Sequence, residues 1–204
     1  MSNNHQSHNI KDSVQIIVDT IKQRMKCSTS PLVVSIDGGS GAGKSVVSTE
    51  VADSMDATVI QCDDFFNIKI PDADWGAFSV EQKCRLCIDF ERVRNEALLP
   101  LLAGKQAVFS PYYYLSTKES SSKRIVKEPS QIIILDGIYS SYWLDDLVDL
   151  KVLVDVPSDV RYKRHNLREG TADIDWHLRW DQVEDYYFSA LRPLETFDLI
   201  VVNE

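Results

Sequence analysis

The stretch "LVVSIDGGSGAGKSVVSTEV", Leu32 to Val51, decides the fold. "LVVSI" is a short, β-branched apolar run, the pattern of a strand buried on both faces. "GGSGAGKS", Gly38 to Ser45, fits G-x-x-x-x-G-K-[ST]. "KSVVSTEVADSM" then reads as a helix. Strand, glycine-rich loop and helix N-terminus in this order make an anion cradle. Glycines let the backbone wrap closely and turn N–H groups inward, and the helix end adds about half a unit of positive charge. Gly38, Gly39, Ser40, Gly41, Ala42, Gly43 and the first helical turn through Val46 are expected to hold nucleotide phosphates. Lys44 would reach the β- and γ-phosphates, and the Ser45 hydroxyl would ligate Mg²⁺. The alternative, a chance glycine-rich turn, has to explain why the loop sits between a strand and a helix. The expected cofactors are ATP and Mg²⁺.

Working outward, "VIQCDDFF", Val59 to Phe66, ends a second apolar run on two adjacent carboxylates. Ligands of open α/β sheets bind beyond the carboxyl ends of the strands. Asp63 would therefore face the same crevice as the phosphate loop, where Lys44 and Mg²⁺ offset the crowded charge. A carboxylate there can take the proton of an attacking hydroxyl, and it can also hold Mg²⁺. Asp64 is read as capping the following turn, where Asp is common. Phe65 and Phe66 either wall a substrate pocket or belong to the core.

Further apolar runs, "QIIILD" at 131–136, "LKVLVDV" at 150–156 and "FDLIVV" at 197–202, alternate with helical patterns at 12–26, 80–103, 157–169 and 172–191. Continuous apolar strands alternating with helices define an α/β fold, a mostly parallel sheet covered on both faces. "QAVFSPYYY" and "KRIVK" flank a Ser-rich stretch and could form a small projecting hairpin. Residues 1–11 read as a polar tail, and 12–204 as one domain.

The 204 residues are 44% hydrophobic, enough for an ordinary core. A net charge of −9 argues against broad nucleic-acid binding, which needs a basic surface. No stretch is long and apolar enough to span a membrane. Four scattered cysteines make no disulfide framework, and the lone Cys84-x-x-Cys87 lacks the four ligands of a structural zinc site. A cytoplasmic chain acting on a small molecule is expected, its oligomeric state open.

Arg161, Arg164 and Arg168 share one face of the helix after Pro157. Such a stripe suits the charge of a transferring phosphoryl group, and "REGTADID" after it suits a moving lid. The other reading is a solvated face paired with acidic residues.

"GGSGAGKS", "DDFF", "LLPLLAGK" at 98–105, "LDGIYS" at 135–140 and "VDVPSDVRYKRHNLRE" at 154–169 occur in the order that resembles the uridine kinase and phosphoribulokinase-like P-loop kinases. "QCDDFF" is also similar to nicotinamide riboside kinases. The resemblance spans about residues 31–202. It implies a three-layer P-loop NTPase fold with a helical lid, with the hairpin over the substrate site. It implies Asp63 as general base, Asp136 as the acidic residue holding Mg²⁺ (Asp in "DG" where relatives carry Glu), and Arg161, Arg164 and Arg168 as lid arginines over the phosphates. Asp89 falls where relatives place an acid near the substrate, or it caps the next helix. Tyr112 could stack on a planar ring or simply pack. Thr117 stands where uridine kinases carry a base-recognising His.

The expected activity is transfer of the ATP γ-phosphate to a hydroxyl of a nucleoside or related metabolite. The competing readings are a nucleotide-binding regulatory protein without catalysis and a P-loop NTPase with water as acceptor.

Overall fold

The computed structural model describes residues 10–27, 30–112, 124–170 and 174–203. Five parallel strands form the central sheet: β1 (Leu32–Asp37), β2 (Thr58–Gln61), β5 (Ile132–Asp136), β6 (Leu150–Asp155) and β7 (Leu199–Val202), in the order β2-β5-β1-β6-β7. Every residue of β1 and β5 is buried, whereas the edge strands β2 and β7 are only partly so. That gradient is why the central strands read as unbroken apolar runs.

Among the described residues the named α-helices are α1 (Ile10–Met25), α2 (Lys44–Met55), α3 (Val80–Leu86), α4 (Phe90–Arg92), α5 (Leu99–Leu102), α6 (Ser140–Trp143), α7 (Ser158–Glu169) and α8 (Ile174–Tyr186). Because strand side chains alternate in direction, each central strand feeds two cores. Val34, Ile36, Ile134 and Val152 pack with Ile17, Ile21, Val47 and Val51 of α1 and α2. Val33, Ile133 and Leu135 pack with Leu98, Leu101, Val183 and Tyr187 on the opposite face. The result is the three-layer α/β arrangement.

Several expected boundaries shift. Helix α1 starts at Ile10, two residues before the helical pattern expected from 12; residues 1–9 of the expected polar tail lie outside the described residues. The single helix expected over 80–103 breaks at Cys87–Asp89. There the backbone pairs with the chain after β2: Asn67 N–H donates to Cys87 O (2.8 Å) and Asp89 N–H to Phe65 O (2.9 Å). Beyond the break, α4 and α5 are joined by a π-helical stretch, Val93–Leu98. A π-helical stretch, Tyr187–Leu191, likewise continues α8. Residues 72–77, expected as loop, contain a 3₁₀ turn that buries Trp75. The projecting hairpin is present as an antiparallel pair, β3 (Ala107–Phe109) with β4 (Ile125–Lys127). Its Ser-rich tip and Thr117 lie outside the described residues.

Candidate active site

Register brings the site together. Asp136, the last residue of β5, lies beside Ile36 of β1 and Gln61 of β2. The carboxyl ends of these three adjacent strands lead into the phosphate loop, the "DG" turn and the Asp63–Asp64 turn. Lys44, Ser45, Asp63 and Asp136 therefore converge, and the charges of Lys44 and Asp63 both act on Asp136.

The loop Gly38–Gly43 is held by side chains from across the fold. Gly38 N–H donates to Asp37 Oδ1 (2.8 Å), Ser40 N–H to Glu184 Oε1 (2.8 Å) and Ala42 N–H to Gly39 O (3.1 Å). Asn203 Nδ2 donates to Ala42 O (3.0 Å). Gly41 sits at φ 78°, and a Cβ there would run into the carbonyl of Arg161. Only glycine permits both the left-handed backbone and this approach of α7. Lys44 Nζ donates to Gly39 O (3.0 Å). Ser45 and Val46 are exposed in the first turn of α2.

Asp136 is 4% exposed, and its Oδ1 is buried without a hydrogen-bond partner. Burial pushes its pKa up; the Lys44 ammonium and the Ser45 hydroxyl pull it back, and the Asp63 charge raises it again. An orphaned carboxylate oxygen beside a hydroxyl fits a hard divalent cation. Among the described residues no three Asp, Glu, His or Cys side chains cluster to form a protein cage. Mg²⁺ needs none, because it keeps waters and binds through one or two protein oxygens plus phosphate.

Asp63 is exposed and Asp64 is 6% exposed. One carboxylate is thus exposed and the other buried, in a 3₁₀ turn, Cys62–Phe65, rather than at an extended strand end. The expected capping by Asp64 is absent: Gln61 holds the N-cap position, with no side-chain bond. Burial raises the Asp64 pKa, while Lys127 of the hairpin lowers it. The cation that relieves this carboxylate is therefore Lys127.

The arginines do not form one open stripe. Arg161 Nη1 donates to Glu184 Oε2 (2.7 Å), Arg164 Nη1 donates to Asn203 O (3.0 Å), and Arg168 Nη2 lies 3.3 Å from His165 Nδ1. Asp89 follows its capping reading, accepting from Arg92 N–H (3.2 Å) and pairing with Lys69 (3.3 Å). Tyr112 lies beyond the end of β3, its ring 5.8 Å from Phe66; Trp180 approaches Phe66 from α8 at 6.4 Å. Phe65 is core, its ring tilted against Phe109, while Phe66 is half-buried at the centre of the aromatic group.

Sequence reasoning missed Asp37, Glu184 and Asn203. Asp37 is fully buried and accepts from Tyr187 Oη (2.6 Å), Ser141 Oγ (2.7 Å), Gly38 N–H and Tyr139 N–H. Its signal was a carboxylate closing an otherwise apolar strand. Glu184 and Asn203 carry no local signal.

A glycine-rich loop between a central parallel strand and a helix, with carboxylates at the neighbouring strand ends, defines the class: a P-loop kinase fold. The sequence model of the "Phosphoribulokinase / Uridine kinase family" matches residues 33–172. The chain belongs to that family. It is 30% identical over 174 residues to a uridine kinase of Clostridium botulinum (strain Langeland / NCTC 10281 / Type F), covering 80% of each chain. It is 29% identical over 177 residues to a uridine kinase of Clostridium tetani, covering 82% of this chain and 80% of that one. Its fold is similar to that of a possible uridine kinase from Bacillus stearothermophilus, with a TM-score of 0.67 at 18% identity over 92% of this chain and 98% of that one.

Proposed function

We propose that this kinase moves the γ-phosphate of ATP to a hydroxyl of a nucleoside or a related ribosyl metabolite, with Asp63 as general base. The observation that carries the reading is the convergence at three strand ends: Lys44 and Ser45, buried Asp136 and exposed Asp63. Uridine kinases among the relatives support a nucleoside-like acceptor. In this reading Asp63 receives the acceptor's proton, while the loop amides and Lys44 hold the phosphates. Asp136 and Ser45 would hold Mg²⁺, which when bound neutralises phosphate charge and orients the γ-phosphoryl group. Phe66, Tyr112 and Trp180 offer aromatic faces for a planar ring.

The test is Asp63→Asn. It keeps the shape but cannot take the proton. ATP·Mg²⁺ affinity by calorimetry stays near wild type, and phosphoryl transfer falls about 10²–10⁴-fold, the span of one acid–base group. Lys44→Ala abolishes activity with the fold intact. An ADP-release assay over nucleosides, sugars and vitamins identifies the acceptor. Full transfer by Asp63→Asn to every acceptor would remove the chemical step from this reading.

A further inference from the structure

Glu184 lies on α8, far in sequence from the phosphate loop, and it is 6% exposed. One oxygen accepts the Ser40 N–H (2.8 Å) and the other accepts Arg161 Nη1 (2.7 Å). The same Nη1 also reaches Ser40 O (3.3 Å). One carboxylate thus joins the loop backbone to a guanidinium. A Cβ at Gly39 would lie 2.7 Å from Glu184 Oε2 and closer still to the guanidinium, so the pair sits directly on the loop.

Two features show why the pair matters. The protein ties the N–H groups of alternate loop residues, Gly38, Ser40 and Ala42, while Gly41 and Gly43 take positive φ. Positive φ at Gly41 and Gly43 is the backbone pattern of a nest, in which successive N–H groups line an anion concavity, and the tied N–H groups are the ones turned to protein acceptors. The Ser40 tie is the one made by a side chain of another helix. Arg161, in turn, lines two cavities, of about 430 and 310 Å³. The guanidinium rests against Gly39 and reaches Ser40 O at 3.3 Å, and its shorter bond, 2.7 Å, is to the Glu184 carboxylate.

We propose that Glu184 is a positioning residue of the nucleotide site, setting the curvature of the phosphate loop through Ser40 and the aim of Arg161 through its second oxygen. The proposal rests on the reading of the loop as a nucleotide-phosphate site. It predicts that loop and arginine helix respond to ATP as one unit, with α8 reinforcing their direct contact at Ser40.

The experiment pairs Glu184→Gln with Glu184→Ala in the full chain. Gln keeps an acceptor for Ser40 N–H and loses the charge that holds Arg161; Ala loses both. Hydrogen exchange of the loop amides is measured beside ATP·Mg²⁺ affinity by calorimetry. In Glu184→Ala, loop exchange speeds up about tenfold or more and ATP affinity falls by about tenfold to a hundredfold, the usual effect of a small misplacement. Glu184→Gln leaves loop exchange near wild type and weakens ATP binding about as much as Arg161→Ala does. The Arg161→Ala/Glu184→Gln double variant is no worse than either single change, because the two residues act as one unit. Wild-type exchange and affinity in both variants would overturn the proposal. So would tighter ATP binding in Glu184→Ala, which would make the carboxylate a competitor of phosphate. A lowered melting temperature with unchanged affinity would reduce Glu184 to a structural contact. If wild type binds no ATP, the nucleotide-site reading fails, while the loop-exchange comparison still decides whether Glu184 sets the loop.

Discussion

Asp136 carries a conflict between stability and chemistry. Its Oδ1 is buried with no partner, and burial outweighs the help from Lys44 in setting its raised pKa. A buried unsatisfied group costs about 1–3 kcal/mol. Asp136→Asn should therefore leave the ligand-free protein as stable as wild type or more stable, while weakening Mg²⁺-dependent ATP binding tenfold or more. Melting curves with and without ATP·Mg²⁺ check this: the variant's ligand-induced gain in Tm shrinks. A variant that melts lower and keeps the full gain would show that Asp136 is structural. At this scale the sequence was legible where chemistry is local. Lys44, Ser45 and Asp63 announce themselves by motif and by position after a strand. Lys127, whose charge lowers the Asp64 pKa, does not, because it arrives on a hairpin from a distant part of the chain. Glu184 and Asn203 were hidden for the same reason: contacts across elements leave no periodic trace in sequence.

At the scale of elements, α7 shows what spacing can and cannot tell. The arginines do share one helix, yet each meets a different partner, on α8, at Asn203 after β7, or on α7 itself. The helix is thus clasped to the loop and to the end of the sheet rather than presented as a bare cationic face. Arg164→Ala and Arg168→Ala are each expected to lower turnover by about tenfold or more while changing ATP affinity less, since charge on the transferring group peaks in the transition state. Steady-state kinetics beside direct binding tests this, and equal losses in both would assign them to ground-state binding. The break between α3 and α4 teaches a related lesson. Residues 80–103 carry a continuous helical pattern, but backbone pairing of Phe65 and Asn67 with Asp89 and Cys87 competes with it and wins. That pairing anchors the segment following Asp63, so the interruption serves the site.

For the whole molecule, the sheet order does the assembling. The order β2-β5-β1 sets three successive strand ends side by side, so Asp136 at the end of β5 lies between the loop after β1 and Asp63, two residues past β2. Alternation of strands and helices made this architecture readable; the tie from Asp37 to Tyr187, Ser141 and Tyr139 was not, because it joins the loop to the "DG" turn and the end of α8 only in three dimensions. The same burial has a consequence for the whole chain's response to pH. Asp37, Asp64 and Asp136 all have raised pKa values, each mainly through burial. A raised carboxyl holds its proton more tightly folded than unfolded, so its contribution to stability is fully present below the ordinary value near 3.8 and is lost as pH rises through the raised folded value. Asp145 and Asp146, lowered by Lys151 and by Arg94 respectively, act in the opposite sense, but they are largely solvent-exposed and their effect is correspondingly screened. The net charge of −9 adds self-repulsion at higher pH. The ligand-free protein should therefore melt higher just above the ordinary carboxyl value, at about pH 4, than at about pH 8, and Asp136→Asn should narrow the gap. In the proposed metal role of Asp136, binding of ATP·Mg²⁺ should run the other way, because a carboxyl gives up its proton to hold a cation. Melting curves across this range, with and without ATP·Mg²⁺, read both trends at once. A ligand-free Tm that climbs steadily toward pH 8 would mean that the buried carboxylates are better compensated than their burial implies.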